Sequence, residues 1–255
     1  MQARRETGLR RQIALYFSAQ QFLTRLPVPA WIGHEDDRLA RAAPFFPVVG
    51  VLIGAIAGMI WLIAGALMPA PLAAGLALGA MILVTGALHE DGLADCCDGL
   101  GGGTTRARAL EIMRDSRIGV FAAAGLIITI GLRWTSLGTM APADGFACLL
   151  IAAVAGRAAI TLMLAAGRYA RDEGAARGVA GGVTAREAGI ACLIAALTGL
   201  LAGAPGLLAV LLTLLASRLW LAYLTHRIGG YTGDGLGAAE QIGQVVVLLT
   251  LASVP

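Results

Sequence analysis

Lysine is absent from all 255 residues, and charge of either sign is scarce: 14% of the chain is charged against 58% hydrophobic. A soluble domain carries about 25% charged residues, so a mean hydropathy of +0.78 excludes an ordinary soluble fold and leaves a polytopic membrane protein. Strict period-2 alternation is missing from the apolar runs, which excludes a transmembrane barrel and leaves helices. A disulfide framework is missing too. Cys96 and Cys97 are adjacent, Cys148 and Cys192 fall inside apolar runs, and all four read as small apolar fillers. Thiolates also prefer softer ions than a carboxylate cluster does. The N-terminus lacks a cleavable signal, because its apolar block Ile13 to Phe22 is broken by Ser18, Gln20 and Gln21 and no small-residue cleavage site follows. No repeat period and no Pro- or Ser-rich linker divides the chain, so residues 1–255 are expected to form one membrane domain.

What is present is a series of runs near the 20 or so residues that a helix needs to cross the hydrocarbon core. They predict spans at about 45–68, 71–88, 119–140, 146–166, 188–204 and 206–225, with a seventh at 236–255. The expected fold class is an all-α bundle of about six or seven spans with cytoplasmic interfacial helices, the first of them ending at Pro27 and Pro29. All 19 basic residues are Arg, and they alternate between the connections. Arg4, Arg5, Arg10, Arg11, Arg25, Arg38 and Arg41 precede the first span. Arg106, Arg108, Arg114 and Arg117 precede the third, Arg168, Arg171, Arg177 and Arg186 the fifth, and Arg227 follows the sixth. The intervening connections carry none. By the positive-inside rule these Arg-bearing segments face the cytoplasm across an inner membrane. Small residues, including 35 Gly, allow close helix packing in lipid.

One acidic cluster follows directly on the second apolar run: His89-Glu90-Asp91-Gly92-Leu93-Ala94-Asp95-Cys96-Cys97-Asp98-Gly99-Leu100-Gly101-Gly102-Gly103. On a helix, Asp91, Asp95 and Asp98 at i, i+4 and i+7 share one face. Carboxylates so placed repel one another unless a cation intervenes, and hard cations such as Mg2+ take oxygen ligands. His89 falls on the opposite side of that helix, which makes it a poor ligand. His34 and His226 have no evident partner.

Beyond the glycines, Thr104 or Thr105 can cap a short amphipathic helix running to about Arg114, with Ala107, Leu110 and Met113 on one stripe and Arg106, Glu111 and Arg114 toward water. It leads into Arg114-Asp115-Ser116-Arg117-Ile118-Gly119, where two guanidinium groups flank a carboxylate. Arginine forks suit diphosphate oxygens, and Asp115 can act as a ligand or proton acceptor. The same arginines also read as lipid-headgroup anchors at a span entrance. A second glycine-dense turn, Gly229 to Ala238, carries Asp234, with Gly230 and Gly233 offering backbone N-H groups to phosphate; alternatively it is a plain inter-helix turn. Inside the spans, Arg133, Arg157, Arg218 and Glu240 need partners or water. Arg157, the deepest, is expected to face the interior, and Arg133 and Arg218 to approach an interface by snorkelling or a shifted span boundary.

The segments His89 to Asp95, Asp98 to Gly102 and Glu111 to Gly119 together closely resemble cobalamin synthase, the adenosylcobinamide-GDP ribazoletransferase family. Phe22 to Pro29, Phe46 to Gly50 and Gly230 to Ala238 resemble that family's segments in the same order, so the resemblance covers essentially the whole chain. It implies a Mg2+-dependent integral membrane enzyme that joins adenosylcobinamide-GDP to α-ribazole or its 5'-phosphate, releasing GMP. The lipid bilayer is a further partner, no nucleic acid is expected, and homo-oligomer formation is left open. On this reading Asp91, Asp95 and Asp98 hold metal, and Arg114, Arg117, Gly230 and Gly233 contact substrate. Asp98, Asp115 and Asp234 are the candidate catalytic carboxylates. Three departures stand out: Glu90 at a usually apolar position, Cys96 and Cys97 at small-residue positions, and Gln241 and Gln244 where the family tends to carry acids. Two other classes compete. CDP-alcohol phosphotransferases also use a membrane Asp cluster, but with D-G-x-x-A-R, whereas here Asp95 follows Ala94. An ion-coupled transporter would place acids deep in several spans rather than at one face.

Overall fold

In a computed structural model of the chain the described residues are 8–33, 36–171, 178 and 180–254, without the side chains of 36–38. Arg4, Arg5, His34, Arg177 and the side chain of Arg38 lie outside them. The described residues form eleven α-helices and no strand, the all-α class expected. These are α1 (Gly8–Leu23), α2 (Asp36–Ala42), α3 (Phe46–Gly65), α4 (Ala70–Thr85), α5 (Leu88–Gly102), α6 (Arg106–Ile112), α7 (Val120–Leu137), α8 (Pro142–Ala166), α9 (Ala185–Gly199), α10 (Gly203–Ile228) and α11 (Gly233–Ala252).

Five helical runs are long and apolar enough to cross a membrane, or six if α4 and α5 count as one broken span. The chain is a multi-pass membrane protein. One of the five, Ala185–Ile228, has 44 residues, about twice what one crossing needs. It is broken by a 3₁₀ turn at Leu200–Ala202 and by Gly203 at φ +60°. Its two halves, α9 and α10, pack against each other and against α8. Each of the seven expected runs is therefore helical, with ends shifted by a few residues.

α8 is the centre of the bundle, and its burial follows from its small residues. An added Cβ on Gly50 of α3 would lie 2.6 Å from the Ala153 carbonyl oxygen, so α3 and α8 cross backbone to backbone. Gly156 and Gly243 serve the α8/α11 crossing in the same way, with Gly156 against the Glu240 side chain.

The second span ends abruptly. Gly86 and Ala87 are both left-handed, at φ 66° and 59°, and α5 leaves α4 at 89°. If α4 crosses the membrane, α5 therefore lies along the end of the bundle. Gly86 also has no room for a side chain, because the Arg25 guanidinium packs where a Cβ would be. Ala87 has a Cβ, and its conformation costs about 1–2 kcal/mol.

α1 ends at Leu23, before Pro27 and Pro29, as expected. α6 is capped by the Thr105 hydroxyl, which accepts from the Arg108 N-H. Its buried face differs from the expected stripe: Ala109 and Met113 are buried and Ala107 is exposed. The cause is the surface beneath, since Met113 packs over Gly99 and Ala109 over Gly103. Arg106 does not simply face water either; it donates to the carbonyls of Ile228 (2.7 Å) and Ala170 (3.0 Å).

Candidate functional site

α5 carries the acidic cluster. Asp91 is exposed and Asp95 and Asp98 are half-buried, while His89 and Glu90 on the other side are buried. At Gly92 this helix crosses the start of α11 so closely that a Cβ would sit 2.8 Å from the Asp234 carbonyl oxygen. The crossing brings Asp234 to the acidic face. Asp234 also accepts from Thr232, the N-cap of α11 (3.3 Å).

A basic group joins them through loop pairing. Tyr231 donates to the Arg168 carbonyl (2.9 Å) and Ala170 donates to the Tyr231 carbonyl (2.8 Å), which sets Arg171 2.8 Å from Asp234. By sequence alone Arg171 reads only as a marker of topology. The same pairing explains Gly230: at φ 154° it packs on the Arg168 carbonyl, where no Cβ fits. Gly230 is buried there, while Gly233 lines a cavity beside Asp234.

Asp98 has a distinct setting. One carboxylate oxygen accepts the Gly119 N-H and the other the Ala122 N-H (2.9 Å), so Asp98 caps α7 from a different helix, with charge favourable at that end. The capped terminus fixes the 114–117 turn over α5. Within that turn Arg117 forms an exposed bidentate pair with Asp115, closest approach 2.6 Å. These hydrogen bonds hold the Asp115 carboxyl down at about 2. Burial, then the charges of Asp234 and Asp91, push Asp95 up to about 7.

Two cavities meet at Asp91. The larger, about 410 Å³, is lined by Asp91, Asp95 and Asp98 together with Arg114, Asp115 and Arg117. Six of the candidate site residues thus share one groove, whose inner wall Glu90 also touches. The smaller, about 200 Å³, is lined by Asp91, Gly233 and Asp234 and otherwise mostly by apolar side chains. A cavity of about 460 Å³ at the far ends of α7 and α11 has Asp144 as its one charged group and no comparable chemistry.

Behind α5 lies a buried polar network. Arg157, fully buried as expected, pairs with Glu240 at 2.8 Å. Arg133 does not snorkel: it is 1% exposed, 3.3 Å from Glu90, and donates to Gln241 (2.5 Å). Gln241 bridges Glu90 and Glu240, and Gln244 donates to Glu240. The glutamines and Glu90 therefore join one interior network. His89 belongs on this side, with Nδ1 3.9 Å from Glu240, and it also lines the smaller cavity. Arg218 is exposed on α10.

The donors of the acidic face are all carboxylate oxygens, and they raise the proton affinity of Asp95, which is the chemistry a hard divalent cation relieves. Among the described residues, no three His, Cys, Asp or Glu side chains converge on one metal position. Mg2+ needs only one or two protein carboxylates when substrate phosphates supply other ligands, so the residues fit such an ion.

The model of the family described as cobalamin-5-phosphate synthase matches residues 15–252. A protein named adenosylcobinamide-GDP ribazoletransferase from Ralstonia nicotianae is 42% identical over 90% of this chain and 91% of its own. Proteins of that name from Bradyrhizobium diazoefficiens and Leptothrix cholodnii are 43% and 37% identical, covering 96% and 92% of this chain and 95% and 93% of theirs. No solved structure matches the chain.

Proposed function

We propose, for a chain that belongs to the cobalamin-5-phosphate synthase family and is therefore a transferase, that it transfers the adenosylcobinamide phosphate of adenosylcobinamide-GDP to α-ribazole or its 5'-phosphate. The observation that carries this reading is the groove in which Asp91, Asp95 and Asp98 face the Arg114 to Arg117 turn. It supplies anionic ligands on one wall and cationic anchors on the other, as transfer from a diphosphate requires.

In the reaction, the ribose hydroxyl oxygen bonds to the phosphorus that carries the cobinamide. The bond from that phosphorus to the GMP oxygen breaks, and GMP leaves with the electron pair. Mg2+ would neutralise the diphosphate charge, held by Asp91 and Asp95 with substrate oxygens. Arg114 and Arg117 contact the diphosphate. Asp234, which lines the smaller cavity beside Asp91, accepts the hydroxyl proton. Asp115 suits that role poorly because its pair with Arg117 keeps it a weak base. Asp98 completes the acidic face and holds α7 in place. The arginine distribution supports an inner-membrane location with this end toward the cytoplasm.

The test is purified protein in liposomes with adenosylcobinamide-GDP, α-ribazole and Mg2+, following GMP and adenosylcobalamin by chromatography. Wild type should form both in equal amounts with Mg2+, and a folded Asp91→Asn variant should form neither. No product from folded, metal-supplied wild type would overturn the reading and favour a lipid phosphotransferase.

A further inference from the structure

We infer that the smaller cavity beside Asp91 and Asp234 is the subsite for the heteroaromatic base of the acceptor nucleoside, with His89 as its specificity-determining polar residue. The inference rests on the ribazoletransferase reading and deepens it.

The groove and the small cavity differ in chemistry. The groove is lined by charges of both signs, whereas the small cavity is walled by Phe22, Leu23, Ile160 and Leu236. At about 200 Å³ it is somewhat larger than the roughly 150 Å³ apolar cavity that takes one benzene ring. It therefore suits a compact bicyclic ring and not a corrinoid. Phe22 lies nearly parallel to Phe46, with ring centroids 5.8 Å apart and planes at 19°, which fixes an aromatic surface at its wall.

His89 is among the residues that line it, and one nitrogen of its ring is uncommitted. The His89 ring is 2% exposed, and its Nε2 is buried with no hydrogen-bond partner. Its other nitrogen lies toward Glu240 at 3.9 Å. A buried ring nitrogen left unpaired carries an uncompensated desolvation cost, so a ligand that pairs with it gains that difference. The base of α-ribazole is a methylated benzimidazole: flat, largely apolar, and with one ring nitrogen free to accept. With its ring turned toward the cavity, His89 in its Nε2-H tautomer donates to that nitrogen. Guanine, the other ring in the reaction, carries several donors and acceptors that these walls would leave unpaired.

The junction sets the order of groups. Asp91 lines both cavities and Asp234 lines the smaller, so a base seated here puts its ribose at these two carboxylates and the phosphorus in the groove. The cavity also gives a role to Phe22 and Leu23, at the end of α1, which the phosphate chemistry does not use.

The test combines kinetics with direct binding, in proteoliposomes and detergent. Free 5,6-dimethylbenzimidazole should inhibit wild type competitively against α-ribazole and not against adenosylcobinamide-GDP. His89→Phe, which keeps a ring but removes the donor, should raise KM for α-ribazole about tenfold and leave KM for adenosylcobinamide-GDP unchanged. Ile160→Phe, which narrows the cavity, should do the same. Equilibrium dialysis of the free base needs no turnover: wild type should bind it saturably and His89→Phe more weakly. An active wild type whose rate the free base leaves unchanged, or variants that raise both KM values together, would overturn the subsite while the transferase reading stands. Saturable base binding by a wild type that forms no product would keep the subsite and overturn the reaction. Absence of both would overturn both.

Discussion

Gly92→Ala tests whether the spacing of α5 and α11 sets the site. A Cβ there would sit 2.8 Å from the Asp234 carbonyl oxygen and 3.0 Å from its Cα, against 3.4 Å for ordinary contact. Both are backbone atoms and cannot swing aside, so the helices must part by about 0.6 Å. Overpacking of this kind costs about 1–3 kcal/mol, while Ala in place of Gly in a helix returns up to about 1 kcal/mol. Net stability should therefore fall by no more than about 2 kcal/mol, and the protein should still fold. Activity is more sensitive, because a misplacement of about 1 Å can cost about 100-fold. Rather more than half that displacement predicts a loss of about tenfold or more in GMP release. Gly79→Ala, where a Cβ meets nothing within 4 Å, serves as the control and should match wild type in rate. Gly92→Ala within twofold of wild-type activity at an unchanged unfolding temperature would refute the argument that this crossing positions Asp234.

Glu240→Ala strands the fully buried Arg157 and should destabilise by about 3–5 kcal/mol, read as a lower unfolding temperature in detergent. An Arg157→Leu/Glu240→Leu double variant should lose less, and an equal or larger loss would show the two residues to be uncoupled. Asp95 is raised from 3.8 to about 7, so without divalent ion the stability contribution present below about 4 is lost as pH rises through about 7. Thermal unfolding in EDTA should show this fall, Asp95→Asn should flatten it, and Mg2+ at pH 8 should stabilise wild type but not Asp95→Asn; identical profiles would remove Asp95 from the site. A cysteine at Ala143, exposed at the far end of the bundle, should react with an impermeant maleimide from outside the inner membrane. Labelling from the cytoplasmic side alone would reverse the orientation.

The helices were legible because their cause is local. Apolar runs, the Thr105 cap and the stop before Pro27 each depend on a few neighbouring residues, and each appears where the pattern puts it. The shared face of Asp91, Asp95 and Asp98 was legible for the same reason. Features set by distant contacts were not. No local signal marks Ala87 as left-handed; Arg25, packed into Gly86, and the turn of α5 onto the end of the bundle impose the bend. The buried stripe of α6 shifted because Gly99 and Gly103 offer flat contacts that a hydrophobic pattern within α6 cannot report. Arg171 was invisible as a site residue because a pairing between two loops 60 residues apart delivers it to Asp234.

Buried charges show the same division and explain why the acidic face stands apart. Sequence places Arg133, Arg157 and Glu240 inside spans but cannot say which of them meet. In the structure each interior Glu has its own Arg, Glu90 with Arg133 and Glu240 with Arg157, and Gln241 bridges the two glutamates. The interior is thereby neutral as well as paired, which a low-dielectric core requires. Around the groove and its side cavity the balance is not kept. Asp91, Asp95, Asp98, Asp115 and Asp234 are set against Arg114, Arg117 and Arg171, and Arg117 is already engaged by Asp115. A bundle that neutralises every interior acid and leaves an excess of acids at one end has put that negative charge where cations and phosphate can enter. Burial and, behind it, this excess push Asp95 up to about 7, and the excess is what a divalent cation arriving with a diphosphate would relieve.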